Sequence, residues 1–266
     1  MELNRNTLLI AGGLILAAAL VFVGIRFYEK GYRVGLPGGI HAPGVIEIGH
    51  FDPTAQIFLD GEPLLGIPNT TTTLRVPVPA GVHDVTVAKN GYYPWEKAVD
   101  VDPRETVIIA PFAVPSATNG LVIPKTDAEY ADAARAIAGM RAPTAENPLL
   151  SSDGVMSVFI EEGVLIARSV NGTTPPQYFC EAECTTEHTV ITLQAEVRGV
   201  TFFPGRSDVL LIAVQNSIFA VELDTRGTQN FQPVYQGVRP TFAHSAGVLY
   251  VKDGESLFKV YFVPGR

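Results

Sequence analysis

Read from the amino terminus, the pattern of apolar and polar positions divides the chain into an unbroken apolar stretch, a zone of strict alternation and a longer zone of repeated short strands. Thr7 to Ile25 is nineteen residues without a charge, bounded by Arg5 and Arg26. As a helix it would rise about 28 Å, close to the hydrocarbon thickness of a bilayer. It also lacks the polar face expected of a helix that covers a soluble core. A cleaved secretory signal is the alternative. The run Ala17–Ala19 is followed by LVFVGI, however, so the small-residue site lies inside the apolar stretch, which favours an uncleaved transmembrane anchor.

After the Gly- and Pro-rich segment 34–44, which reads as a linker, alternation with period two begins. Val45–Ile48, Ala55–Leu59, Thr70–Val78, Val82–Val87, Val99–Val101 and Thr106–Ile109 read as short strands. Asp60-Gly61 and Asn90-Gly91 are both candidates for type I′ hairpin turns. No helical period appears here, which predicts a small antiparallel β-sandwich over 45–114.

A connector over 115–149 carries the one helix expected after the anchor, Thr126 to Gly139. Thr126 and Glu129 have the spacing of a capping box, Ala131, Ala134 and Ile137 are placed on one face, and Gly139 and Pro143 end it. From 150 to 266 strands return with a repeat. Val200–Phe202 aligns with Pro240–Phe242 at an offset of 40, and Ile218–Leu223 with Leu257–Phe262 at 39. Val155–Ile160 followed by Val164–Ala167 has the same strand-turn-strand form.

Two resemblances follow from these residues. Val45 to Pro111 resembles the PEGA domain, a small bacterial β-sandwich of surface and envelope proteins. The matching positions are Pro53 and Ala55, then Ile57, Leu59, Asp60 and Gly61, then Gly66 and Pro68, then Gly81, His83, Val85, Val87, Lys89, Gly91 and Tyr92. The eponymous turn is shortened to Pro53-Thr54-Ala55 and lacks its glycine. The resemblance implies an extracytoplasmic binding or spacer module without catalytic residues, in which His83 is a turn or packing residue. The later repeat resembles WD40-like and TolB-like propeller units in rhythm and apolar positions, although no Trp-Asp dipeptide occurs. About two and a half units fit, whereas closed propellers have four or more. The region is either an incomplete propeller completed by another chain or a set of strands that closes differently, as in a second sandwich. The fold class expected is thus all-β: a transmembrane helix, a PEGA-like sandwich, a connecting helix and a partial propeller-like domain.

Charge refines this picture. The chain of 266 residues has a net charge of −8; residues 1–33 hold four basic and two acidic residues, so the remainder carries −10. Such a body is a poor binder of nucleic acid, which needs clustered cations. Arg26, Lys30 and Arg33 outnumber the cations before the stretch, so the positive-inside rule alone would leave the body in the cytoplasm. The two cysteines argue the other way. Cys180 and Cys184 are the only cysteines and suggest a disulfide closing a small loop in an oxidising compartment. Free thiols, or a zinc site completed by His188, are the competing readings.

No Gly-x-Ser-x-Gly, Walker or dinucleotide motif is present, and the carboxylate pairs fall at turns and strand ends. No catalytic residue, metal or cofactor is therefore expected. Tyr92, Tyr93 and Trp95, the sole tryptophan, could stack on a sugar or a peptide, or could simply be core. The function expected is that of a single-pass, cell-membrane protein whose extracytoplasmic β-modules bind cell-wall polymer or a surface protein. The alternatives are an assembly subunit that self-associates through β edges, and an envelope hydrolase.

Overall fold

A computed structural model describes residues 5–29, 32–35, 39–117, 119–170, 172–180, 183–245 and 248–261. Helix α1 (Arg5–Glu29) takes in the whole apolar stretch Thr7–Ile25. Among the described residues no helix is long and apolar enough to cross a membrane. The expected linker contains a small hairpin, β1 (Arg33–Gly35) paired with β2 (Gly39–His41); residues 36–38 between them lie outside the described residues.

The sandwich consists of β3 (Gly44–Gly49), β4 (Gln56–Leu59), β5 (Glu62–Pro63), β6 (Thr73–Val78), β7 (Gly81–Ala88), β8 (Trp95–Val101) and β9 (Thr106–Ile109). One sheet has the order β6-β3-β9 and the other β5-β4-β7-β8. All pairings are antiparallel except β3 with β9. Period-two burial makes the core: Ile46, Ile48 and Val107 of one sheet face Val85, Trp95 and Val99 of the other. Asp60 and Gly61 both adopt positive φ (52° and 81°), as a type I′ turn requires. At Asn90-Gly91 only Gly91 does so, and Tyr92 N donates to Lys89 O, which is the signature of a type II turn rather than the expected I′.

Then follow β10 (Asn119–Val122), α2 (Ala128–Gly139), β11 (Leu149–Leu150), β12 (Met156–Glu161), β13 (Val164–Ser169), a 3-10 turn at Gln177–Phe179, and β14 (Glu187–Thr192). The chain continues through β15 (Val197–Phe202), β16 (Val209–Val214), β17 (Ser217–Glu222), β18 (Phe231–Gln236), β19 (Thr241–Ser245), β20 (Val248–Asp253) and β21 (Ser256–Tyr261). They form three four-stranded antiparallel sheets, in the orders β11-β12-β13-β14, β15-β16-β17-β18 and β19-β20-β21-β10. The repeat offsets place equivalent strands together, β15 with β19 and β17 with β21; Phe262 lies outside the described residues. The described pairings do not join the sheets into one closed sheet.

The sheets stack face to face. Val209–Val214 reads as a continuous apolar run because β16 is buried on both sides. Leu210, Ile212 and Val214 pack with Met156, Val158 and Leu165 of the first sheet. Val209, Leu211 and Ala213 share a cluster with Phe242, Leu249 and Val251 of the third, and that cluster runs on into the sandwich. The outer face of the third sheet is covered by α2, whose Ala133 and Ile137 meet Ile123, Ala243 and Leu257.

Two expectations for this helix are corrected. Its N-cap is Asp127, whose side chain accepts from Glu129 N at 2.9 Å. Glu129 instead turns to the third sheet and accepts from Tyr250 and Lys259. The buried stripe is Ala133 and Ile137, with Ala131 exposed, because the sheet approaches from that side. Half of the expected connector is likewise part of the body, since β10 supplies the fourth strand of the third sheet.

The sandwich is tied to the stack by one buried charge. Lys97 lies on the inward face of β8, 1% exposed, between Trp95 and Val99. Its Nζ donates to Glu222 Oε2 (3.1 Å), Asp224 O (2.9 Å) and Thr228 O (3.2 Å). Gly227, at φ 57°, lets the loop after β17 lie on β8, where a Cβ would come within 1.8 Å of Ala98 O. Burial pushes the Glu222 carboxyl up to about 7, against the pull of Lys97 and Asn230. The folded state therefore holds an extra proton between the unfolded value of 4.5 and about 7. Stability from this group is complete below pH 4.5 and is lost as pH rises through 7.

Lys97→Met should lower the stability of the full chain in detergent by about 3–5 kcal/mol at pH 8 and by less at pH 5, where Glu222 can take up a proton. Adding Glu222→Gln should recover part of the loss and flatten the slope of the urea midpoint against pH. Equal losses at both pH values would contradict this account.

Candidate functional site

The sandwich presents two edge strands to the C-terminal sheets, and both are closed by side chains instead of by another strand. On β9, Gln177 accepts from Ile108 N (2.7 Å) and donates to Thr106 O (2.6 Å). Arg226 donates to Ile108 O, and Arg206 donates to Ala110 O and Pro111 O. Each arginine is held by an aspartate two positions away, Arg226 by Asp224 and Arg206 by Asp208. On β8, Asn230 exchanges hydrogen bonds with Glu96 N and O in the manner of a neighbouring strand, and Gln232 donates to Pro94 O. An unsatisfied buried backbone group costs roughly 1–3 kcal/mol, so this row of side chains fixes the docking geometry.

At one end of the seam lies a cavity of about 270 Å³. Its apolar wall is Phe51, Val87, Phe112 and Phe203, with the Phe112 and Phe203 rings 6.0 Å apart across the junction. Its polar rim is His50, Asp52, Lys89, Tyr92, Tyr93 and Arg206. Lys89 Nζ lies 2.6 Å from Asp52 Oδ2 and 4.9 Å from the centre of the Tyr92 ring. Burial works to raise the Asp52 carboxyl, but hydrogen bonds from Lys89 and Thr54 outweigh it and hold the group at about 2. The Tyr92-Tyr93 backbone is pinned by Tyr93 N to Val114 O and by a bridge between Tyr92 and Pro115. His50 sits at φ 58°, a backbone strain placed at the cavity mouth.

Aromatic faces beside fixed charges suit a ligand with one apolar face and several hydroxyl or amide groups. The volume matches one sugar ring or one large side chain, below the range of drug-sized pockets of about 300–1,000 Å³. The candidate aromatics do not act together. Tyr92 and Tyr93 are half-buried on the rim, but Trp95 is 1% exposed within the core and has no face to offer a ligand. Period two places it on the inner side of β8, so of the two readings of this residue the structure agrees with the core one.

Residues 50–111 match the PEGA domain. The match covers β4 to β9 and the turn before them, and it includes both sandwich edge strands of the seam, β8 and β9, and the cavity-wall residues Phe51 and Val87. No curated protein matches the chain. Within the PEGA domain His83 is a packing residue, buried on β7: its Nδ1 lies 2.7 Å from Asp60 Oδ2 and its Nε2 lies 2.8 Å from Pro79 O, joining the Asp60-Gly61 turn to the β6–β7 connection.

Cys180 and Cys184 form a disulfide, which removes both from the zinc reading. His188 lies 2.6 Å from Thr225 Oγ1 and stacks on Phe179. Among the described residues no group of His, Cys, Asp and Glu could hold a metal ion. The disulfide is remote from the tyrosines, at a second cavity of about 420 Å³ lined by Val82, Ala98, Glu105, Val107 and Arg226. It follows directly on the turn that carries Gln177, and so stiffens the side chain that pairs with β9.

The seam residues Lys97, Gln177, Arg206, Glu222, Arg226 and Asn230 were not singled out from the sequence. For Lys97 a signal exists: in WEKAVDV, period two sets it with Trp95, Val99 and Val101, and a lysine on an apolar face demands a buried partner.

Replacing both cysteines by serine should cost about 2 kcal/mol by chain entropy and should speed amide exchange at Ile108, whose acceptor is Gln177. Urea denaturation and hydrogen exchange measure the two effects. Loss of stability with Ile108 exchange unchanged would separate the disulfide from the seam.

Proposed function

We propose that this chain is a non-enzymatic, membrane-anchored extracytoplasmic protein that presents its β-sheets to a cell-envelope polymer or a surface protein. The observation that carries the reading is the aromatic cavity built jointly by the PEGA domain and the second C-terminal sheet. It offers Tyr92 and Tyr93 for stacking and Asp52, Lys89 and Arg206 for polar contacts, the combination that cell-wall sugars and their peptide stems demand. No covalent step is assigned: Asp52 is neutralised by Lys89 and Arg206 by Asp208, which suits them to holding a ligand rather than to exchanging protons.

Anchoring is supported by α1. Its described large apolar side chains are exposed, from Ile15 at 71% to Phe27 at 47%, and an apolar solvent is what such a surface favours. The disulfide supports an oxidising compartment for the body. The three stacked sheets are read as a propeller-like array of three units, with α2 covering the face on which a further unit would stack. Presentation is then the mechanism: α1 and the β1–β2 hairpin hold a rigid β-body near the membrane with the cavity mouth open.

The full chain in detergent should sediment with purified peptidoglycan, and Tyr92→Ala with Tyr93→Ala should reduce retention roughly tenfold, the loss of about 1.4 kcal/mol of stacking. No retention of the unaltered chain would remove the polymer reading. Protease added to intact cells should digest the body; full protection would place it inside and remove the extracytoplasmic reading.

A further inference from the structure

We propose that the cleft beneath the C-terminal end of α2, between the second and third sheets, binds a ligand bearing a phosphate group. The cleft has a volume of about 520 Å³. Arg141, Arg198, Arg239 and Lys252 converge on it, with Ile137, Met140 and Val197 as an apolar wall. In a chain of net charge −8 this is a local reversal of sign.

The carboxylates nearby offset only part of this charge. Glu196 pairs with Arg239 at 3.0 Å. Asp253 accepts from Val238 N, Arg239 N and Tyr235 Oη. Arg198 donates to Pro240 O and Gln215 O, and Arg141 to Ala138 O and Met140 O; none of these bonds goes to a carboxylate. Among the described residues the Lys252 ammonium makes no hydrogen bond or ion pair, and the residue is exposed; its backbone carbonyl accepts from Thr241 Oγ1. Burial, and after it the facing charge of Arg239, lower the Arg198 pKa against the opposing pull of Glu196 and Asp253, so the four cations still exceed the two carboxylates and gain from a further anion between them.

The positions are also built before any ligand arrives. Asp253 holds the loop Gly237–Arg239 through two backbone amides, and Arg198 clamps the next carbonyl, Pro240 O. Gly237 is required there, because a Cβ would lie 1.9 Å from Asp253 Oδ2. Guanidinium forks with a lysine suit the several oxygens of a phosphate better than the two of a carboxylate. The apolar wall leaves room for the organic part of a phosphate ester, which a lipid headgroup or a soluble ester could supply.

Calorimetric titration of the full chain in non-ionic detergent with inorganic pyrophosphate, at constant ionic strength, tests this. Saturable binding is expected, weakened roughly tenfold or more by Arg141→Gln with Lys252→Gln, one such step being worth about 1.4 kcal/mol. Both residues are exposed, so these changes leave the fold intact, and Tyr92→Ala serves as a control that should bind as the unaltered chain does. Absence of saturable binding, or equal binding by the double variant, overturns the proposal. Competition by nanodiscs containing phosphatidylglycerol but not phosphatidylcholine would assign the phosphate to a lipid headgroup; no competition by either would assign it to a soluble ester.

Discussion

The ammonium of Lys97 is the constraint on which the architecture depends. It belongs to the sandwich by position, on the inner side of β8, yet every group that satisfies it comes from the end of β17 and the loop that follows. A buried lysine without a partner costs several kcal/mol, more than a small domain can spare from a stability of about 5–15 kcal/mol. The sandwich is thus complete only when docked, and the apolar cluster that runs from Ile46 to Val260 without a break agrees. A module that elsewhere could serve as a bead on a string is here one layer of a larger body.

Docking also answers a problem common to sandwiches. An open edge strand is a template for unwanted pairing. β8 and β9 are both shielded, but by amide and guanidinium groups that imitate a neighbouring strand without being one. Such side-chain pairing fixes orientation more tightly than strand addition would. A strand can slip by two residues, whereas Arg206 and Arg226 are each locked by their own aspartate before they reach the carbonyls.

Local features were the legible ones. The Asp60-Gly61 turn, the period-two strands of the PEGA domain and the existence of α2 follow from neighbouring residues, and the structure contains all three. The pairing of Cys180 with Cys184 was legible because nothing else in the chain competes for either thiol. What could not be read depends on contacts distant in sequence. β10 is four residues long and gains its identity from Tyr261 and its neighbours, about 140 positions away. The face that α2 buries is chosen by Ala243 and Leu257, so a count of alanines along the helix found Ile137 but took Ala131 in place of Ala133. Trp95 was open to both readings because it follows two tyrosines; as the first residue of β8 it turns inward, and the tyrosines before the strand stay on the rim.

The cavities then have a common origin. Each lies where two layers meet: sandwich against second sheet, sandwich edge against the disulfide loop, helix against the second and third sheets. Apolar side chains fill the middle of each contact, and charged ones with long stems close the ends, which leaves concave spaces with polar mouths. The same arginines and aspartates that hold layers together therefore decide what can bind between them. At the PEGA junction the charges are internally paired, so selectivity falls to the aromatic rings. Beneath α2 the cations exceed their partners, so selectivity falls to charge. The two clefts share no residue, and a ligand can occupy one without displacing anything from the other.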